Sequence, residues 1–113
     1  MDKKFKLEML EEAVLFVNNL PLDVANKIYY NIDRVLSGEQ NSELFKKIKN
    51  TEIWEFRTLY AKQAYRLFAF WDTKNDKIIV ATHGLIKKTQ KTPAKEINKA
   101  ETIMKSYFSN LNY

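Results

Sequence analysis

The sequence predicts one α+β domain over residues 1–113, in the order β-α-α-β-β-β-α. A twisted antiparallel sheet carries a helical hairpin on one face and is followed by a C-terminal helix. Three observations predict it. Between Thr51 and Pro93 lie three runs rich in β-branched and aromatic residues: Ile53–Tyr60, Tyr65–Trp71 and Ile78–Ile86. Only short polar connections, Ala61–Ala64 and Asp72–Lys77, separate them, which is the pattern of a meander. On both sides of Pro21, and again after Pro93, apolar residues recur at three- and four-residue steps.

Taken in order, Lys3–Met9 alternates, with Phe5, Leu7 and Met9 on one side and Lys4, Lys6 and Glu8 on the other, the period of a half-buried strand. Leu10–Leu20 carries Leu10, Ala13, Val14, Phe16, Val17 and Leu20 at helical spacing and stops at Pro21, which could equally begin the next helix. Leu22–Ser37 forms a second amphipathic helix, and Gly38 is placed to end it in a left-handed conformation. The two helices form an antiparallel hairpin that must bury its stripes on one sheet face. Glu39–Asn50 is polar, with Leu44, Phe45 and Ile48 embedded, and reads as a connection holding a helical turn or the start of a strand. Thr92 as N-cap and Pro93 at the first helical position open the last helix, Pro93–Phe108. That helix is expected along the edge of the free face or elsewhere.

Composition narrows the chemistry. Apolar residues make up 45% of the chain, enough for a folded core. No apolar run approaches the length of about 18 residues that a membrane span needs, and no signal peptide is read at the N-terminus. The chain has no cysteine, which excludes disulfides and thiolate chemistry and fits a reducing cytoplasm. His83 is the only histidine, and Gly38 and Gly84 are the only glycines. Histidine-pair metal sites and glycine-rich phosphate loops are therefore absent, and no metal or cofactor is expected. The formal charge of +5 is uneven: residues 41–91 hold eleven Lys or Arg against five Asp or Glu. Concentrated basic charge on the sheet points to a polyanionic partner, with ordinary solubility charge as the alternative.

Strand parity locates the cations. Arg57 and Arg66 lie on neighbouring strands joined by a short hairpin, and can meet on one face. Two like charges side by side need an anion, supplied either by a ligand or by an internal acid such as Glu55 or Asp72. Lys87 and Lys88 follow the third run, as a phosphate-contacting loop or as a solvated turn. His83 is read as a half-buried strand histidine or as a proton-transfer group.

Trp54–Arg57 (WEFR), Tyr65–Arg66 (YR) and His83–Pro93 (HGLIKKTQKTP) together resemble the RelE/ParE superfamily of bacterial toxins, in its HigB-like, phage-derived branch. One departure is Leu85, where the family pattern has an aromatic residue. The resemblance implies a RelE-like microbial RNase fold and cleavage of mRNA, usually on the ribosome, without a metal. It implies Arg57 and Arg66 as phosphate clamps, Lys87 and Lys88 as the post-strand lysines, one of them moving a proton, and His83 as a further proton-transfer candidate. Lys46, Lys47, Lys49, Lys62 and Lys91 are candidates for general RNA or ribosome contacts. The expected partner is a cognate antitoxin, commonly a helix-turn-helix protein, through which operator DNA is contacted. The same fold in a gyrase-inhibiting ParE-like toxin, or in an inactive antitoxin-binding relative, is the alternative.

Overall fold

The alternation of the N-terminal segment produces a strand over its second half, β1 (Lys6–Met9). The computed structural model describes residues 3–75, 77–89 and 91–110. Leu10 turns the chain into α1 (Glu11–Asn18), and Pro21 begins α2 (Leu22–Leu36), its carbonyl accepting the Ala25 N–H at 3.0 Å. Gly38 ends α2 with φ of 101°. The Glu39 N–H donates to the Arg34 carbonyl and the Gly38 N–H to that of Val35, the paired bonds of a Schellman cap.

The polar segment after α2 contains a strand that the sequence left undecided. β2 (Phe45–Lys47) pairs antiparallel with β3 (Trp54–Tyr60), placing Phe45 opposite Phe56. β4 (Gln63–Trp71) and β5 (Ile78–Lys87) complete the meander, and α3 (Ala94–Asn110) closes the chain. The sheet has five strands in the order β1-β5-β4-β3-β2. β1 runs parallel to β5, so the sheet is mixed rather than wholly antiparallel. Alternation reveals a strand but not the direction of its neighbour. The β3–β4 turn is tighter than the sequence suggests: Ala61 and Lys62 both take positive φ, 50° and 66°, as a two-residue primed turn requires.

Both sheet faces carry apolar side chains because both are covered. Phe56, Leu67, Ala69, Ile79 and Ala81 meet Ala13 and Val17 of α1 and Ile28 and Ile32 of α2 in one core. Buried inside this layer, the Asn31 amide donates to the Thr58 hydroxyl at 3.1 Å. Gly84 faces α1, where a Cβ would come within 2.1 Å of the Phe16 ring. The second core lies on the other face: Ile53, Phe68, Phe70 and Val80 are sealed by Ala100, Met104, Tyr107 and Phe108 of α3. The third helix therefore lies across half of the face that was expected to be open. Tyr107 fastens it by donating to Asp72 at 2.7 Å.

A β-bulge divides that face. Leu67 pairs with Gly84, but Ala69 pairs with Ala81, so β5 has one extra residue opposite Phe68. The bulge shifts parity, and Val80 and Lys87 thereby face the same side despite their odd spacing. Toward one end this face lies beneath α3. Toward the other it carries the basic residues.

Candidate active site

The β3–β4 register sets Arg57 directly opposite Arg66. Cross-strand partners have Cβ atoms about 5 Å apart, so two guanidinium groups rise from adjacent points on one face. Arg66 is 7% exposed. Its Nη1 donates to the Tyr65 carbonyl at 3.2 Å. Arg57 is half-buried and donates from Nη1 to the Ser42 carbonyl at 3.1 Å. The Nε atoms of both arginines are buried and make no hydrogen bond. A pocket of about 170 Å³ opens beside them, lined by Glu43, Arg57, Leu59, Ala64 and Arg66.

Glu55 is the residue that sequence reasoning undervalued. It lies two positions before Arg57, on the same parity, and is buried. One carboxylate oxygen stands 3.8 Å from Arg66 Nε, an ionic contact but too long for a hydrogen bond. The same oxygen accepts from the Thr92 hydroxyl at 2.9 Å. Thr92 thus ties the approach to α3 to the sheet. The Pro93 carbonyl accepts the Glu96 N–H at 3.1 Å at the helix start. Lys46 sits opposite Glu55 in the β2–β3 register. The signal for Glu55 was present in the WEFR parity; its burial was not.

The electrostatics show an excess of positive charge. Burial, and then the Arg57 charge, push the Arg66 guanidinium below its usual range, with Glu55 opposing them. Lys87 is also pushed down, by burial first and then Arg66; Glu55 opposes, and Arg57 and Lys46 add to the depression. These four cations therefore feel one another around one carboxylate. Glu55 answers part of that charge. Among the described residues no carboxylate forms an ion pair with Arg57. Asp72, considered as a partner for an arginine, instead accepts from Tyr107 and from the backbone of Lys74 and Asn75.

The remaining candidates are distributed unevenly. Lys88 is exposed just past the end of β5. His83 is buried in the half covered by α3: Nδ1 is 2.9 Å from the Thr82 hydroxyl, Nε2 is 3.2 Å from Glu96, and the ring stacks on Phe68. Its pKa is lowered by burial and by Lys99, with Glu96 opposing. His83 is thus 3% exposed and packs beneath α3. Lys47 pairs with Glu52 at 3.4 Å, while Lys49 and Lys91 are exposed on loops. Lys62 occupies the exposed β3–β4 hairpin tip. Leu85 is the register partner of Arg66 and packs against the second core. Among the described residues no group of three His, Asp or Glu side chains is arranged to hold a metal ion, and no helix is long and apolar enough to cross a membrane.

A profile of the family described as phage derived protein Gp49-like matches residues 16–105, most of the chain and all of the cationic cluster. The chain belongs to the Gp49-like family. The family is RelE-like. The fold is also that of solved RelE proteins. The Escherichia coli RelBE toxin–antitoxin complex supplies a chain with a TM-score of 0.58 and 13% identity, covering 75% of this chain and 99% of that one. The Mycobacterium tuberculosis RelBE2 toxin–antitoxin complex gives 0.55 at 16% identity, over 76% and 98% of the two chains. The archaeal RelE–RelB complex from Pyrococcus horikoshii gives 0.51 at 16%, over 74% and 94%. No curated protein matches the sequence.

Proposed function

We propose that this Gp49-like protein is the toxin of a toxin–antitoxin pair, of the HigB-like kind, and that it stops translation by cutting mRNA. The observation that carries the reading is the opposed pair Arg57 and Arg66, each with a buried Nε that makes no hydrogen bond. A buried donor without an acceptor costs about 1–3 kcal/mol, and charge-assisted bonds from the guanidinium groups to a phosphodiester offset that cost. Guanidinium groups suit phosphate because their planar fork contacts two oxygens at once.

Cleavage follows from the same set. The RNA 2′-oxygen attacks phosphorus and loses its proton to the Glu55 carboxylate. The P–O5′ bond breaks, and the Lys87 ammonium gives its proton to the departing 5′-oxygen. The products are a 2′,3′-cyclic phosphate and a 5′-hydroxyl, and the proton count balances. Arg57 and Arg66 meet the charge that grows on the phosphoryl oxygens, each worth about 2.7–4 kcal/mol by analogy with oxyanion-hole donors. Lys46 and Lys62 lie on the strand and hairpin beside this set and add sequence-independent attraction. The partners in this reading are the translating ribosome with its mRNA, and an antitoxin, as in the RelBE complexes that share the fold. A helix-turn-helix antitoxin would carry any contact with operator DNA.

The deciding experiment is expression of the chain without an antitoxin, with RNA ends mapped and both translation and DNA synthesis pulse-labelled. Translation stops first, new 5′-hydroxyl ends appear within coding regions, and purified protein cuts ribosome-bound mRNA far better than free RNA. Arrest of DNA synthesis with intact mRNA would replace this reading with gyrase inhibition.

A further inference from the structure

On the opposite face from the arginine pair, the sheet ends in an aromatic cleft of about 610 Å³ that the proposed chemistry leaves unused. Its walls are Phe5, Phe45, Trp54 and Trp71, all partly exposed. The Phe45 ring stacks on Trp54 with centroids 4.7 Å apart, and Phe5 meets Trp71 edge to face at 5.0 Å. The rim is polar and basic. Lys4 lies over Gly38, so close that a Cβ there would come within 2.7 Å of its Cδ, and among the described residues it has no ion-pair partner. The carboxylate on the rim, Glu39, is already held by two bonds from Arg34, at 2.7 and 3.0 Å. The uncompensated charge at the mouth is therefore positive.

The cleft adjoins the phosphate site. Ser42 lines it, and the Ser42 carbonyl is the acceptor for Arg57 Nη1. The segment before β2 thus has the guanidinium on one side and the aromatic walls on the other, at the free edge of the sheet.

We propose that this cleft is a nucleobase subsite, which takes one unpaired nucleotide of the RNA whose phosphate is held at Arg57 and Arg66. Aromatic walls accept any base by its π-face, Lys4 draws the phosphate of that nucleotide, and the exposed Gln40 amide offers a donor and an acceptor to the base edge. An apolar side chain of a protein partner would use the walls but would leave the rim cation without a counterpart. The proposal rests on the RNA-binding reading, and adds a place where base identity is felt.

The chain reports on its own cleft, because its two tryptophans are Trp54 and Trp71. A 2′-deoxyadenylate tetramer, which lacks the attacking hydroxyl and cannot be cut, is titrated against an abasic tetramer of equal charge while tryptophan emission is recorded. The base-bearing oligomer is expected to bind about tenfold tighter and to quench the emission, as one stacked base warrants. The abasic oligomer binds through the arginines and leaves the emission unchanged. Trp71→Leu removes the tenfold advantage, and Trp71→Phe keeps most of it; should the leucine variant fail to fold, the two oligomers on the unaltered chain decide alone. Equal affinities with unchanged emission overturn the subsite while leaving the phosphate site standing. An abasic oligomer that does not bind at all overturns the RNA reading and the subsite with it. Quenching by an apolar amphipathic peptide, without quenching by the base-bearing oligomer, assigns the cleft to a protein partner and overturns the proposal.

Discussion

Replacing Arg57 by methionine should raise stability and destroy activity together. Arg57 stands opposite Arg66, and among the described residues it forms no ion pair of its own. With charged heads about 7 Å apart and an effective dielectric of about 20, the mutual repulsion is roughly 2 kcal/mol. Arg57 is half-exposed, so solvent and salt reduce this to about 1 kcal/mol. Methionine keeps the aliphatic stem of the side chain and removes the charge, the buried Nε without a hydrogen bond and the exposed bond to the Ser42 carbonyl, so the last two roughly cancel. The expected gain of about 1 kcal/mol corresponds to a melting temperature roughly 4 °C higher for a domain of this size. Transition-state charge would lose one of its two guanidinium partners, so single-turnover cleavage of ribosome-bound mRNA should fall about 10²- to 10³-fold. Thermal unfolding and cleavage measured on the same preparation check both halves. A variant that melts lower and still cleaves at the original rate would show that Arg57 serves the fold and not the phosphate.

Three other outcomes follow from the geometry. Gly84→Ala puts a methyl group where the Phe16 ring already lies, so we expect a loss of about 3 kcal/mol, read as a lower melting temperature with the cation cluster unaltered. His83 has a folded pKa below its ordinary value because of burial, so the unfolded chain binds the proton more readily. Its contribution to stability is then complete above about pH 6.5 and is lost as pH falls below that value. His83→Gln should flatten the melting temperature below about pH 6.5; an unchanged slope would mean that other groups set it. Lys46→Ala should reduce the magnitude of the salt slope for RNA binding by about 0.7, the share of one phosphate contact on a single strand, with no change in base preference.

Local pattern was enough for much of this. The stripes of α1, α2 and α3 were legible because helical spacing repeats within each segment. The pairing of Arg57 with Arg66 was legible because a short hairpin leaves the register little freedom. Gly38 was legible as a cap because φ of 101° suits glycine far better than residues bearing a Cβ. β2 was harder, since three residues carry too little periodicity to separate a strand from a turn. Thr92 was read as a cap from its place before Pro93, yet its hydroxyl bonds to Glu55 on another element.

The sequence by itself determined which groups are present: two strand arginines with a carboxylate between tryptophan and phenylalanine, a lysine pair after the last strand, and no thiol or second histidine. Only the tertiary structure decided which of them share a site. The extra residue in β5 turns Lys87 to the side of Arg66, α3 covers His83 while Arg57 and Arg66 line a pocket beyond it, and burial makes Glu55 the partner of Arg66. Each of these depends on contacts between residues distant along the chain, which periodicity within one segment does not encode.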